Sequence, residues 1–154
     1  VSGGEAEHTR YGFRDLLQAR GVDISQPDLG GMGGISEGRK VVTLAGIFGI
    51  RSQPHVWGTA VAMAASLHVI SWMPDVPGSA NPVEPMLEWD QTEHPVRDLL
   101  TDLPSTEMPW VNVPDDPGLG ITVNTDRAAK FLIDHSIIGI QDVAGYSSTV
   151  EQLH

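Results

Sequence analysis

The chain contains no cysteine, which excludes a disulfide framework, a thiolate nucleophile and a cysteine-ligated zinc site. Lysine is scarce as well: Lys40 and Lys130 are the two present. Lys plus Arg number 9 against 20 Asp plus Glu, a formal net charge of −11. Phosphate contacts need clustered Lys and Arg, so this balance argues against nucleic acid as a partner and against an anionic membrane surface. No apolar run reaches the roughly 18 residues of a membrane span. The best candidate, Gly58 to Met73, is broken by Ser66, His68 and Ser71. The 154 residues also fall short of the roughly 250 of a complete (β/α) barrel. What is present, 40% hydrophobic residues, suffices for one packed core. The acidity suits strong salt and an ordinary acidic enzyme equally. The opening Val1-Ser2-Gly3-Gly4-Glu5 reads as the end of a strand with no signal peptide before it, so a piece of a longer, cytoplasmic protein is expected.

Strand, loop and helix signals repeat along the chain. Arg10 to Ala19 places Tyr11, Phe13, Leu16 and Leu17 on one helical face, with Gly21 as the expected breaker. Val22 to Gln26 alternates with period two and reads as a strand ended by Pro27-Asp28. Leu29 to Gly34 reads as a glycine-rich loop, with Ser36 capping a helix that runs to about Phe48. Gly49 to Gln53 is a further strand, ended by Pro54-His55. Trp57 to Met73 is a long alanine-rich helix, Pro74 to Pro85 a loop, and Met86 to Trp89 another short strand. Beyond Asp90 an acidic, proline-rich stretch to Pro117 shows no periodicity. Gly118 to Val123 reads as a turn leading into an extended segment, and Asn124 or Thr125 caps a short helix to about Leu132. Strands alternating with helices predict an α/β fold of parallel βαβ units.

Each predicted strand end carries a titratable group: Glu5, Asp28, His55 and Glu88. Four in succession favour a barrel, whose strand ends converge on one face, over an open sheet. Glu5, after two glycines, offers a hard oxygen ligand suited to magnesium. Asp28 beside His55 would fix the imidazole tautomer and raise its basicity. Glu88, if buried against Trp89, would stay protonated and donate a hydrogen bond. Taken singly each has an ordinary explanation: a solvated glutamate, a Pro-Asp turn, a loop histidine, a salt-bridged carboxylate. The regular spacing of the four is what favours a shared site. His68, inside the alanine-rich helix, is expected to be a packing residue.

Five blocks, in order, resemble a known family. They are Gly4-Glu5 with His8-Thr9-Arg10-Tyr11-Gly12; Val22 to Asp28 with Gly33-Gly34-Ile35-Ser36-Glu37; Pro54-His55-Val56-Trp57-Gly58-Thr59; Glu84-Pro85-Met86-Leu87-Glu88-Trp89-Asp90; and Pro114-Asp115-Asp116-Pro117-Gly118-Leu119-Gly120-Ile121. Together they are similar to the C-terminal half of the enolase superfamily, mandelate racemase subgroup, in its sugar-acid branch of cycloisomerases and dehydratases. The resemblance implies the second half of a (β/α)8 TIM-type barrel with a C-terminal extension. Residues 1–90 would be the last βα units, 91–134 a segment packing back on barrel or cap, and 135–154 a tail.

It further implies a Mg2+-dependent lyase or cycloisomerase acting on a sugar acid or its lactone through an enediolate. Glu5 would be one metal ligand, Asp28 and His55 the dyad removing the proton α to the carboxylate, and Glu88 the hydrogen-bond donor. His8, Trp57 and Trp89 are candidate substrate contacts, core packing being the alternative for each tryptophan. The family's other metal ligands, its lysine-bearing strand and its capping domain have no counterpart in these residues. The chain alone is therefore expected to be inactive, completed by an N-terminal half-barrel and forming a homo-oligomer. A racemase or epimerase of the same superfamily, and a non-catalytic half-barrel assembling with a second chain, are the alternatives.

Overall fold

The computed structural model describes residues 1–74, 84–94, 96–97 and 101–131. Three short parallel strands form a sheet in the order β1 (Ser2–Gly3), β2 (Ile24–Ser25), β3 (Arg51–Ser52). Ser2 pairs with Ile24 and Ile24 with Arg51; Gly3 pairs with Ser25 and Ser25 with Ser52. Pairing continues past the strands. Gln26 N–H donates to Gly3 O (2.9 Å), Gln53 N–H to Ser25 O (2.9 Å) and His55 N–H to Pro27 O (3.1 Å). Asp28 and His55 close a further parallel bridge in the same register. The predicted parallel βαβ arrangement is therefore present.

Helix α1 (Thr9–Gln18) connects β1 to β2. Its apolar face delivers Phe13 and Leu17, both fully buried, at the i, i+4 spacing that stacks side chains on one side. It ends in a Schellman arrangement: Arg20 N–H donates to Leu17 O and Gly21 N–H to Leu16 O, each at 3.1 Å. The residue in the left-handed region is Arg20 (φ 54°), not the expected Gly21. A Cβ at Gly21 would lie 2.9 Å from Leu16 Cδ1, the tip of a side chain that can turn aside.

The expected loop from Leu29 to Gly34 contains a one-turn helix, α2 (Leu29–Met32). It forms because Asp28 caps it, accepting from Gly30 N–H at 2.8 Å. Helix α3 (Gly34–Ile47) follows directly, with Gly33 (φ 118°) ending α2 and capping α3 at once. Ser36, the expected cap, lies exposed within the first turn of α3. α3 packs against α1 and α2, and Val41, Val42 and Ala45 join Phe13, Leu17, Val22, Leu29, Met32, Ile50 and Val69 in one core. Helix α4 (Ala60–Trp72) is capped by Thr59, so Trp57 and Gly58 precede it. Its buried Ala60 and Ala64 bring backbone close to its neighbours.

The expected strand Met86 to Trp89 makes no strand pairing among the described residues. Its tie to the sheet is a side chain, Glu88, which occupies the Val56 N–H. The stretch expected to be featureless holds a small antiparallel hairpin, β4 (Thr106–Glu107) with β5 (Trp110–Val111), and a bridge between Thr101 and Val123. Asn124 caps the short helix α5 (Thr125–Ala128) as expected, accepting from Arg127 N–H at 2.9 Å. His68, the expected packing residue, contacts Leu119 O through Nε2 at 3.2 Å and ties this segment to α4. Most of the predicted 74–85 loop and the whole 135–154 tail lie outside the described residues.

Candidate active site

The sheet's carboxyl-side edge carries the chemistry-bearing residues. Asp28 and His55 follow β2 and β3 at matching positions, and their bridge sets them side by side. Gln26 lies two residues before Asp28, on the same face of the extended chain.

The imidazole of His55 pairs with Glu88. Nδ1 lies 2.8 Å from Glu88 Oε2, which also accepts from Val56 N–H at 2.9 Å. The other carboxylate oxygen, Oε1, accepts from Gln26 Nε2. Both side chains are partly exposed, 30% for His55 and 27% for Glu88. A carboxylate at Nδ1 holds the ring proton on that nitrogen and leaves the lone pair on Nε2.

Two expectations are corrected here. The Asp28 carboxylate makes no hydrogen bond to His55 among the described residues. Asp28 Oδ1 accepts the Gly30 N–H at the start of α2, while Glu88 takes Nδ1. Glu88 is not buried in an apolar pocket with Trp89 either. It is ringed by three donors and acts as an acceptor. Gln26 went unnoticed in the sequence, although its period-two relation to Asp28 was the available signal.

The remaining candidates are more dispersed. Glu5 is exposed in the turn after β1. The residue before it, Gly4, has φ 111°, and a Cβ there would lie 2.9 Å from Phe13 Cε1, so the approach to Glu5 requires glycine. His8 donates from Nδ1 to Gly31 O (3.1 Å), joining the β1–α1 loop to α2 near Asp28. Trp57 is 67% exposed, and its ring meets His94 edge-on, centroids 6.3 Å apart. Trp89 lines a separate cavity of about 240 Å3 with Met63, Asp90, Arg97 and Leu103. In that cavity Arg97 Nη1 donates to Asp90 Oδ2 at 2.8 Å.

Nearby, Glu37 receives Lys40 Nζ, the Arg10 backbone N–H and the Arg10 guanidinium. The Lys40 bond foremost, then the Arg10 N–H, hold its carboxyl below the usual range. Among the described residues no three His, Asp or Glu side chains converge as a metal cage. Glu5 is a single hard oxygen donor at its strand end. Nor is any described helix long and apolar enough to cross a membrane.

Parallel βα units with a carboxylate–imidazole pair at their carboxyl-side ends define a partial (β/α) barrel of the enolase type. The chain belongs to the enolase C-terminal domain-like family, whose profile matches residues 1–127, and its similarities fall in the mandelate racemase and muconate lactonizing subgroup. It is 46% identical over 132 residues to D-galactarolactone cycloisomerase of Agrobacterium fabrum, covering 85% of this chain and 35% of that protein. It is 34% identical over 140 residues to L-rhamnonate dehydratase of Saccharopolyspora erythraea, covering 86% and 32% respectively. The 3,6-anhydro-D-galactonate cycloisomerase of Zobellia galactanivorans superimposes with a TM-score of 0.75 at 37% identity, over 87% of this chain and 36% of that one. The chain thus spans about a third of the length of these relatives and represents part of a larger fold.

Proposed function

We propose that this chain is the C-terminal half-barrel of a lyase or cycloisomerase that removes the proton α to the carboxylate of a sugar acid or sugar-acid lactone. The observation that carries this reading is the His55–Glu88 contact, Nδ1 to Oε2 at 2.8 Å, beside the Asp28 bridge. With Nδ1 engaged, Nε2 is the nitrogen that accepts the proton; the enediolate then expels a β-hydroxyl or ring oxygen, which takes up a proton as it leaves, and the resulting enol gains a solvent-derived proton on carbon to give the 2-oxo product. Glu88 stabilises the imidazolium that forms, by the same hydrogen bond.

Asp28 belongs to this catalytic set as the carboxylate at the adjoining strand end. Glu5 is the single donor this chain contributes to a magnesium ion, the other ligands coming from a preceding half-barrel. His8, Trp57 and Trp89 are the proposed sugar contacts. The same reading includes an N-terminal capping domain, a homo-oligomeric state and a cytoplasmic location. Support comes from the cycloisomerase and dehydratase relatives, all named for sugar-acid substrates.

The test is an assay of the full-length protein in D2O against aldonic acids, aldaric acids and their lactones. Turnover with deuterium entering the product on carbon, lost in His55→Asn, is the expected result. Turnover without solvent deuterium, or undiminished turnover by His55→Asn, would refute the reading.

A further inference from the structure

We infer that Arg51 forms an enclosed ion pair with an Asp or Glu of the preceding half-barrel, so that a charge contact inside the barrel joins its two halves. The inference rests on the reading of this chain as a C-terminal half-barrel and names the chemistry of the surface that meets it.

The two faces of the sheet are unlike. Hydrogen bonds from Gln53 N–H to Ser25 O (2.9 Å) and from His55 N–H to Pro27 O (3.1 Å) keep β2 and β3 extended and in register past their ends. Side chains therefore alternate from Ile24 to Asp28 and from Arg51 to His55. Ser25, Pro27 and Pro54 share one face with Ser52 and are fully buried. The other face carries Ile24, Gln26 and Asp28 on β2 with Arg51, Gln53 and His55 on β3, and all six stay partly exposed. In a closed barrel this second face points at the axis, and the inside of such a barrel is a packed core, not a pore.

Arg51 pairs with Ile24 in the ladder and lies four residues before His55, about 13 Å along an extended strand. That depth separates it from a substrate held at the strand ends. Among the described residues its side chain makes no ion pair or hydrogen bond, and neither does that of Gln53 on the same face. At its level the neighbouring strands offer Ile24 and Ser2, neither of them acidic. Asp23 comes one residue before Ile24, so alternation turns it from Arg51, and it pairs with the Val1 amino group.

A guanidinium keeps its charge in a protein, and closing a barrel over an unpaired charge is strongly unfavourable. A carboxylate matches its planar fork with two parallel hydrogen bonds. The acid then comes from the strands that complete the barrel. The chain covers 35% of its cycloisomerase relative, which leaves ample length for them.

The experiment is a crystal structure of the full-length protein, with thermal denaturation of full-length variants. The Arg51 guanidinium is expected to donate to an Asp or Glu that precedes Val1. A guanidinium reaching solvent, a backbone carbonyl or Asp23 would overturn the inference. Arg51→Met, which keeps the aliphatic bulk, is expected to lower the Tm by several degrees because it strands the partner's charge, and Arg51→Lys to lower it less. An unchanged Tm in Arg51→Met would also overturn it. Turning the partner carboxylate into its amide in Arg51→Met is expected to regain part of the loss, whereas losses that simply add would count against the pairing. Should the variants not fold, the wild-type structure alone decides. A chain that does not close into a barrel would overturn both readings, and a closed barrel with Arg51 unpaired would overturn this one alone.

Discussion

Glu88 Oε2 lies 2.8 Å from His55 Nδ1 across a sequence separation of 33 residues, and the same oxygen accepts the Val56 N–H. One carboxylate thus orients the ring and pins the backbone just beyond it. This group joins the loop that carries His55 to the segment that carries Glu88.

Replacing His55 by Asn should remove the proton acceptor and leave the sheet intact, because the His55 N–H bond to Pro27 O uses only backbone. A general base typically contributes about 10²–10⁴-fold. A fall of that size in kcat of the full-length protein, with an unchanged far-ultraviolet circular dichroism spectrum, is the expected outcome.

Asp28 has two separable roles. As the cap of α2 it accepts from Gly30 N–H, and losing such a cap costs about 1 kcal/mol. Asp28→Ala should therefore lower stability by about that amount in urea denaturation, whereas Asp28→Asn, also a good cap, should stay within a few tenths of wild type. If the charge of Asp28 also serves the reaction, Asp28→Asn will be stable and slow. Wild-type kcat in Asp28→Asn would reduce the residue to a cap.

Gly4→Ala should be poorly tolerated. Its φ of 111° disfavours any side chain, and the new Cβ would lie 2.9 Å from Phe13 Cε1 and 3.1 Å from Leu16 Cδ2. Strain and overpacking of this kind cost about 1–3 kcal/mol. A lowered Tm is expected, together with altered placement of Glu5, which follows directly in the chain.

Acid sensitivity should trace in part to Glu37. Its folded-state pKa lies below the ordinary value of 4.5, owing first to Lys40 and next to the Arg10 N–H. A depressed folded pKa means the contribution is complete above the unfolded value and disappears as pH falls through the folded one. Glu37→Gln should flatten the loss of stability with pH below the usual glutamate range and leave its slope near neutrality unaltered. A denaturation series against pH measures this, and an unchanged acid slope would count against it.

The readable parts of the fold were those written in local pattern. The spacing of Phe13 and Leu17 marked α1, the alanines marked α4, and the period-two run ending at Gln26 marked β2. Boundaries were less accessible because they rest on competition between neighbours. Thr59, not Trp57, begins α4, since its hydroxyl can accept the Ala62 N–H, a weak bond at 3.5 Å. Asp28 converted an apparent glycine loop into a helical turn. The Met86 to Trp89 stretch has strand-like residues yet no pairing among the described residues, because its attachment to the sheet runs through the Glu88 carboxylate.

Residue chemistry and spacing were enough to place Asp28 and His55 beside each other, since strand register is a local, repeating quantity once β2 and β3 pair. Which carboxylate would reach the imidazole was not written there. Asp28 and Glu88 are chemically equivalent as acceptors, and the choice between them depended on competing donors in three dimensions. The Gly30 N–H of α2 captured the first, while Gln26, Val56 and His55 converged on the second. Hydrogen-bond partnership depends on distance and angle among groups far apart in the chain, so it emerged only once the helices had packed and the strand ends were fixed.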